Sequence, residues 1–259
     1  MKRIVFITGA SSGIGNATAK KFIKNGDIVY GMARKGFILD GGTAIKGDVT
    51  SVEDINNALN LIISKHDKVD IIINNAGIGI SGPVEVAKKE DIKKQFDVNF
   101  FGAINVIQTF LPYIRESKGY IINVSSIMAF IPLHYQAFYS ASKGALDNMA
   151  LALRQEVKPY GVKVCNIQPG DVKTNFTDSR IKNKIDNVYN EGEKESTKKF
   201  EKSERKGMSP DKIANKIYKL SKRKNPPITC TVGFSYKLVK FLNRLLPQKF
   251  VSYISSKLF

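Results

Sequence analysis

Tyr139 and Lys143 stand four residues apart in the run Tyr139-Ser140-Ala141-Ser142-Lys143, a spacing that puts both side chains on one helix face about a turn apart. A phenol with a reference pKa of about 10 is a poor acid–base catalyst at neutral pH, and a neighbouring ammonium lowers that value by favouring the phenolate. The pair thus has the chemistry of a proton donor beside a cation. Near the N-terminus, Thr8-Gly9-Ala10-Ser11-Ser12-Gly13-Ile14-Gly15 follows the apolar run 4–7 and leads into a helix beginning near Ile14. A strand, a glycine-rich turn and a helix start aim free N–H groups and the positive dipole end at one point, which suits a pyrophosphate. The glycines fall as G-x-x-x-G-x-G, and for the turn taken alone a glycine-rich loop without a ligand is the competing reading.

Positioning these groups falls to an alternation of short β-branched runs and longer amphipathic segments over residues 1–174, the pattern of βα units feeding a parallel sheet. Candidate strands are 3–8, 27–33, 69–74, 119–125 and 162–168, all nearly continuous apolar runs, as expected of strands covered on both faces. Thr50 with Glu53 reads as a capping box, Gly26 and Gly161 follow helix ends, and Pro210 follows Ser209 as a helix start. Residues 175–208 carry nine Lys or Arg and seven Asp or Glu with few apolar residues, so they read as a mobile lid or a loosely packed helix pair. Residues 209–259 read as a basic amphipathic extension of the same single domain.

In order and spacing, these segments resemble the short-chain dehydrogenase/reductase family. The resemblance rests on the turn 8–15, Asn74-Asn75-Ala76-Gly77 after the strand 69–74, Asn99, Ser126 thirteen residues before Tyr139, the Tyr139–Lys143 pair, and Pro169-Gly170 with Val172 and Thr174. It implies a Rossmann-like doubly wound parallel sheet in three α/β/α layers. It also implies a cofactor held by Gly9, Ser11, Ser12, Gly13, Ile14, Gly15, Arg34, Asp48, Val49, Asn75, Ala76, Gly77, Tyr139, Lys143, Pro169, Gly170, Val172 and Thr174, with Asp48 and Val49 at the adenine. In the family-like mechanism Tyr139 gives the proton to the carbonyl oxygen as hydride arrives from NADPH. Lys143 also holds the nicotinamide ribose, and Asn99 kinks its helix and holds a water for the proton relay. Ser126, at the end of a strand where open parallel sheets place ligands, stabilises charge on the substrate oxygen. Ser125 competes for that role, but strand alternation points it the other way. His134, between Ser126 and Tyr139, is either a substrate-pocket wall or simple packing. Ala129-Phe130 departs from the glycine that relatives often carry there. Family members usually associate through the helices bearing Asn99 and Tyr139, which implies a homodimer or homotetramer.

At the end of the second strand, Ala33 is followed by Arg34 and Lys35. A carboxylate there would hold both ribose hydroxyls of NAD, whereas a guanidinium can grip a 2′-phosphate, so NADP(H) is expected. The two histidines, His66 and His134, lack second ligands at metal-binding spacing, and no metal is expected. Two cysteines make no disulfide framework and point to a cytoplasmic setting, and neither a secretory leader nor a membrane-spanning run is read from the sequence.

The net charge is +18, and residues 212–259 hold eleven Lys or Arg and no acid. Phe234, Leu238, Phe241, Leu242 and Leu245 recur at helical spacing, Pro247 ends that helix, and a second apolar set, Phe250, Val251, Ile254, Leu258 and Phe259, follows. Such helices either lie peripherally on an anionic membrane or pack on the domain and close the substrate pocket. Both readings favour a hydrophobic small-molecule carbonyl substrate: steroid-like, retinoid-like or long-chain. Val232-Gly233 and Arg244-Leu245-Leu246-Pro247 are similar to the tails of family members of the 17β-hydroxysteroid dehydrogenase, retinol dehydrogenase and acyl-dihydroxyacetone-phosphate reductase types. Reduction of a 3-oxoacyl thioester on an acidic carrier protein is an alternative that fits the basic surface. A non-enzymatic nucleotide sensor that binds membrane or nucleic acid is another, but no nucleic-acid motif is present and none is expected as partner.

Overall fold

The computed structural model describes residues 2–182, 188–247 and 249–250. From the N-terminus the chain runs β1 (Ile4–Thr8), α1 (Gly13–Lys24), β2 (Ile28–Ala33), β3 (Thr43–Lys46), α2 (Val52–His66) and β4 (Ile71–Asn74). A two-residue strand β5 (Ile80–Ser81) precedes α3 (Lys89–Phe96), which passes through a π-turn (Asp97–Phe101) into α4 (Gly102–Glu116); β6 (Tyr120–Val124), α5 (Ala137–Val157) and β7 (Lys163–Pro169) follow. The last elements are β8 (Ile181–Lys182), α6 (Asn190–Arg205), α7 (Pro210–Leu220), β9 (Thr229–Val232) and α8 (Phe234–Leu245).

Seven strands form one parallel sheet in the order β3-β2-β1-β4-β6-β7-β9. Alternation within each strand divides the core. Ile4, Phe6, Ile72, Ile121 and Val164 pack under α2, α4 and α5, while Val5, Ile7, Ile73, Ile122 and Ile167 pack under α1 and α7. The chain winds outward from β1 through β2 to β3 and then crosses back to β4, which pairs with β1 on its other side. At that reversal the strand ends diverge and leave a crevice, the usual ligand site of such sheets.

The five expected strands are present. Thr43–Lys46 and Thr229–Val232 escaped the apolar pattern because both are short edge strands of mixed polarity. Gly161 caps a helical turn with φ 77°, and Ser209-Pro210 opens α7, both as expected. The cap of α2 lies one residue later than the Thr50/Glu53 spacing suggests. The Ser51 hydroxyl accepts from the Asp54 N–H at 3.1 Å, because the Thr50 hydroxyl turns back to Asp48 at 2.9 Å.

One correction concerns the C-terminal third. The charged segment is not loosely packed where it is described: α6 buries Phe200, Ser196, Thr197 and Glu204, because its acids find partners that its low hydrophobicity did not reveal. Residues 183–187 of the expected lid lie outside the described residues. On α8 the apolar stripe faces outward, with Phe234 86% and Phe241 59% exposed alongside Leu238, Leu242 and Leu245. Tyr236 and Val239 turn inward onto a small cluster around Ile127, Met128, Ile131 and Phe200. Lys240 reaches Gln168 and Thr229, and the Asn243 amide donates to the Phe130 carbonyl at 3.3 Å. Of the second apolar set, Val251, Ile254, Leu258 and Phe259 lie outside the described residues. Among the described residues no helix is long and apolar enough to cross a membrane.

Candidate active site

The crevice at the strand ends is a cavity of about 700 Å³. One end is the turn between β1 and α1. Gly9 and Gly13 sit at φ 66° and 53°, left-handed values that favour glycine. Ser12 caps α1 without a side-chain capping bond, and no acid occupies the first turn, so the helix N-terminus presents its N–H groups to an anion. Ser11, Ser12, Gly13 and Ile14 all line the cavity. Gly15 is not on the lining; a Cβ there would stand 2.2 Å from the Gly9 carbonyl oxygen and 2.5 Å from Asn75 Nδ2, so this glycine lets α1 pack on the turn.

Asn75 has a mainly architectural bond pattern. Its amide donates to the Thr8 and Gly9 carbonyls at 2.9 and 3.1 Å, while the buried Thr8 hydroxyl accepts from the N–H groups of Asn75 and Ala76, both at 3.0 Å. These bonds lock the phosphate turn to the end of β4. Asn75, Ala76, Gly77, Pro169, Gly170, Val172 and Thr174 also line the cavity, as do Arg34, Lys35, Asp48 and Val49; the end of β2 that carries Arg34 is tied to the turn by the Ala10 N–H, which donates to the Met32 carbonyl at 3.2 Å. Arg34 and Lys35 are exposed, and among the described residues neither has an ion-pair or hydrogen-bond partner. A nicotinamide dinucleotide fits this donor set, with open N–H groups for its phosphates and two exposed cations, Arg34 and Lys35, on the lining.

Tyr139, Lys143 and Ser126 meet on the opposite wall. Lys143 is 4% exposed, donates to the Val124 carbonyl at 2.9 Å, and its Nζ lies 5.9 Å from the Tyr139 ring centroid. Burial lowers its pKa to about 8, opposed by the charge of Asp147 one turn along α5. For Tyr139 the expected effect of a neighbouring ammonium gives way to burial, which pushes the phenol up to about 12. Arg180 pulls in the other direction, Glu204 adds to the rise, and the Ser126 hydroxyl beside the phenol lowers it. At neutral pH Tyr139 is therefore a protonated donor. Ser126 caps the turn Ile127–Ala129, its Oγ accepting from Met128 N–H at 3.1 Å; Ser125 lies instead beside Asp147.

Asn99 stands behind the cavity, in the π-turn that bends α3 into α4. Its Oδ1 accepts from Ile78 N–H at 2.8 Å, and its Nδ2 donates to the Ile78 carbonyl at 3.0 Å and to Ser142 Oγ at 3.1 Å. It thereby fixes the segment after Gly77 against α5. His134 corrects the expectation of a pocket wall. It is exposed, outside the cavity, and packs beside Tyr135 and Phe200 with ring centroids 5.2 and 6.0 Å away. No group of His, Cys, Asp or Glu among the described residues could hold a metal ion.

Three features escaped the motif reading. Asn74, Asn123 and Asn166 align in register across β4, β6 and β7, each amide donating to the next or to Asp147 at 2.8–2.9 Å. Asp147 also accepts from Gln168, whose Oε1 takes Lys240 of α8. Phe176 and Arg180 enter the cavity from the segment after β7, the Phe176 ring tilted against Tyr139 with centroids 5.8 Å apart. Asn spaced at intervals of more than forty residues gives no local signal; only strand pairing brings the three together.

Comparison with known proteins follows this geometry. Residues 3–185 match the family described as short chain dehydrogenase. The chain is 42% identical over 236 residues to a 3-ketodihydrosphingosine reductase of Bacteroides thetaiotaomicron, covering 89% of this chain and 88% of the relative. It is 33% identical over 246 residues to a mouse estradiol 17-beta-dehydrogenase 2, covering 88% of this chain and 62% of that protein. A solved short-chain dehydrogenase from Streptomyces avermitilis superimposes with TM-score 0.85 at 28% identity, covering 94% of this chain and 93% of that one.

Proposed function

This chain belongs to the short-chain dehydrogenase family, an oxidoreductase of CH–OH or C=O groups that uses a nicotinamide cofactor, and on that premise we propose that it is an NADPH-dependent reductase of a long-chain ketone, of the 3-keto sphingoid type. The observation that carries the reading is the convergence of Tyr139, Ser126 and Lys143 on one cavity that Arg34 and Lys35 also line. The similarity to the 3-ketodihydrosphingosine reductase, which spans both chains nearly end to end, supports the substrate class. NADP over NAD is supported by the absence of a carboxylate at Ala33 and by the two uncommitted cations that follow it.

A bound reduced nicotinamide supplies hydride to the carbonyl carbon. Tyr139 supplies the proton to the oxygen, and burial keeps it protonated until that oxygen becomes basic. Ser126 Oγ–H donates to the same oxygen and stabilises its developing charge. Lys143, still largely cationic at neutral pH with a pKa of about 8, favours the tyrosinate left after transfer. Asn99 and the asparagine ladder hold α5 and the strand ends in place, so little reorganisation accompanies the proton transfer.

The outward stripe of α8 adds a partner to this reading: an anionic membrane surface that presents the lipid. Phe234, Leu238, Phe241, Leu242 and Leu245 would enter the acyl boundary, and the basic tail matches the surface charge.

The reading is tested by oxidation of NADPH, and of NADH in parallel, against 3-ketodihydrosphingosine, estrone, retinal, long-chain aldehydes and a 3-oxoacyl thioester. The expected result is preferential turnover of the sphingoid ketone with NADPH, abolished in Tyr139→Phe while NADPH still binds. Preference for another member of the panel overturns the substrate class.

A further inference from the structure

The buried pair Arg180 and Glu204 sits in the wall of the catalytic cavity, where it biases the Tyr139 phenol electrostatically, and neither residue donates or accepts in the hydride and proton steps. Arg180 belongs to the segment between β7 and β8. The Ile181 N–H donates to the Gly79 carbonyl at 3.0 Å, and the short pairing of β5 with β8 clamps the segment over the cavity. Its guanidinium side chain is 2% exposed. Nη2 donates to Glu204 Oε1 at 2.6 Å, and Glu204 Oε2 accepts from the Thr177 hydroxyl at 2.8 Å. Nε and Nη1 are sealed from solvent and have no hydrogen-bond partner.

A buried guanidinium with two unused donor groups is costly, at about 1–3 kcal/mol for each orphaned donor and more for a charged one, so such groups call for an acceptor. The surroundings indicate where one would lie. Phe176 stands between Arg180 and Tyr139, its ring centroid 5.8 Å from the guanidinium carbon and 5.8 Å from the Tyr139 ring. Residue 79 is a glycine, and a Cβ there would stand 3.4 Å from Nε and 3.1 Å from the Phe176 ring, so any side chain at this position would press directly on both. The ion pair with Glu204 neutralises the guanidinium, which fits the site to a neutral oxygen acceptor better than to an anion.

We propose that Arg180, held by Glu204, receives a hydroxyl oxygen on the substrate a few atoms from the reacting carbonyl, so that the enzyme selects hydroxylated long-chain ketones over plain ones. This rests on the reading of the cavity as that of a long-chain ketone reductase. In 3-ketodihydrosphingosine, a 2-amino-1-hydroxy-3-ketone, the 1-hydroxyl is such an oxygen, and Arg180 acts as a specificity residue, separate from the reacting atoms. Sites built to hydrogen-bond a substrate hydroxyl reject analogues that lack it, because their buried donors are then left unpaired.

The test compares two ketones that differ in one atom, 3-ketodihydrosphingosine and 2-aminooctadecan-3-one, which lacks the 1-hydroxyl. Wild-type protein should favour the hydroxylated compound in kcat/KM by about 10- to 100-fold, with most of the difference in KM. Arg180→Met/Glu204→Gln, which removes both charges together, should lose that preference, read as the ratio of kcat/KM on the two ketones so that any common change acting through Tyr139 cancels. NADPH affinity, measured by fluorescence, reports that the variant is folded. Should the double variant not fold, Arg180→Lys keeps the ion pair but not the planar fork, and should lose most of the preference. Equal wild-type kcat/KM on the two ketones, or a preference that survives in a folded variant, overturns the assignment while leaving the reductase reading intact. Turnover of neither ketone by wild-type protein overturns the substrate reading, and this assignment with it.

Discussion

Replacing Asp147 by Asn should move the pH dependence of catalysis without touching any reacting atom. Asp147 lies one turn from Lys143 on α5 and is the charge that opposes the downward pull of burial on the lysine. Charges one helical turn apart, at an effective dielectric of about 20, interact by about 2–3 kcal/mol, enough to move a neighbouring titration by more than one pH unit. A lysine that titrates at about 8 in the folded protein is mostly cationic at pH 7, and support for the tyrosinate is lost as pH rises through that value. Without the carboxylate the lysine should titrate lower, so that the alkaline fall of kcat/KM moves to lower pH. Stability should drop as well. Asp147 accepts from Asn166 at 2.8 Å and from Gln168 at 2.5 Å; an amide can accept only one of these bonds, which orphans a buried donor at about 1–3 kcal/mol. The assay is kcat/KM for NADPH-dependent reduction over about pH 5 to 10, with the denaturant midpoint measured in parallel. An inflection that stays near its wild-type pH in a folded variant would refute the reasoning, leaving Asp147 as a purely structural acceptor for the ladder.

Exchange of Ala33 for Asp together with Arg34→Ala should turn the NADPH/NADH preference around, because the new carboxylate repels a 2′-phosphate and holds a ribose diol; an unchanged ratio of kcat/KM values would remove Arg34 from cofactor selection. On the outer face of α8, Leu238→Glu/Phe241→Glu should weaken binding to vesicles containing phosphatidylserine by tenfold or more, at about 1–2 kcal/mol per buried apolar side chain lost. Both side chains are at least half exposed, so the melting temperature should hardly move. Equal vesicle binding of variant and wild type would exclude this face as the contact.

The sequence by itself determined the sheet core and the position of the catalytic pair. Continuous β-branched runs read as buried strands, an interval of four suits one turn of helix, and the order of the motifs, through its resemblance to a known family, placed the catalytic pair. Those signals are local, set by covalent geometry and by side-chain periodicity, so they survive without any knowledge of partners. Tertiary structure decided what depends on residues far apart in the chain. Gly15 reads as a phosphate-loop glycine in the motif, yet it serves close packing against Gly9 and Asn75. The Tyr139 proton affinity follows from burial and from Arg180 and Glu204, which no interval links to it. The charged run 175–208 looked unable to pack because its acids and bases were counted as solvated, whereas Arg180 and Glu204 neutralise each other inside the fold. On α8 the periodicity identified the apolar face, but which face meets the domain was decided by Tyr236, Val239, Lys240 and Asn243 finding partners on β7, β9 and the turn after β6. Direction on a helix is a relation to neighbours, and a sequence contains neighbours only once it has folded.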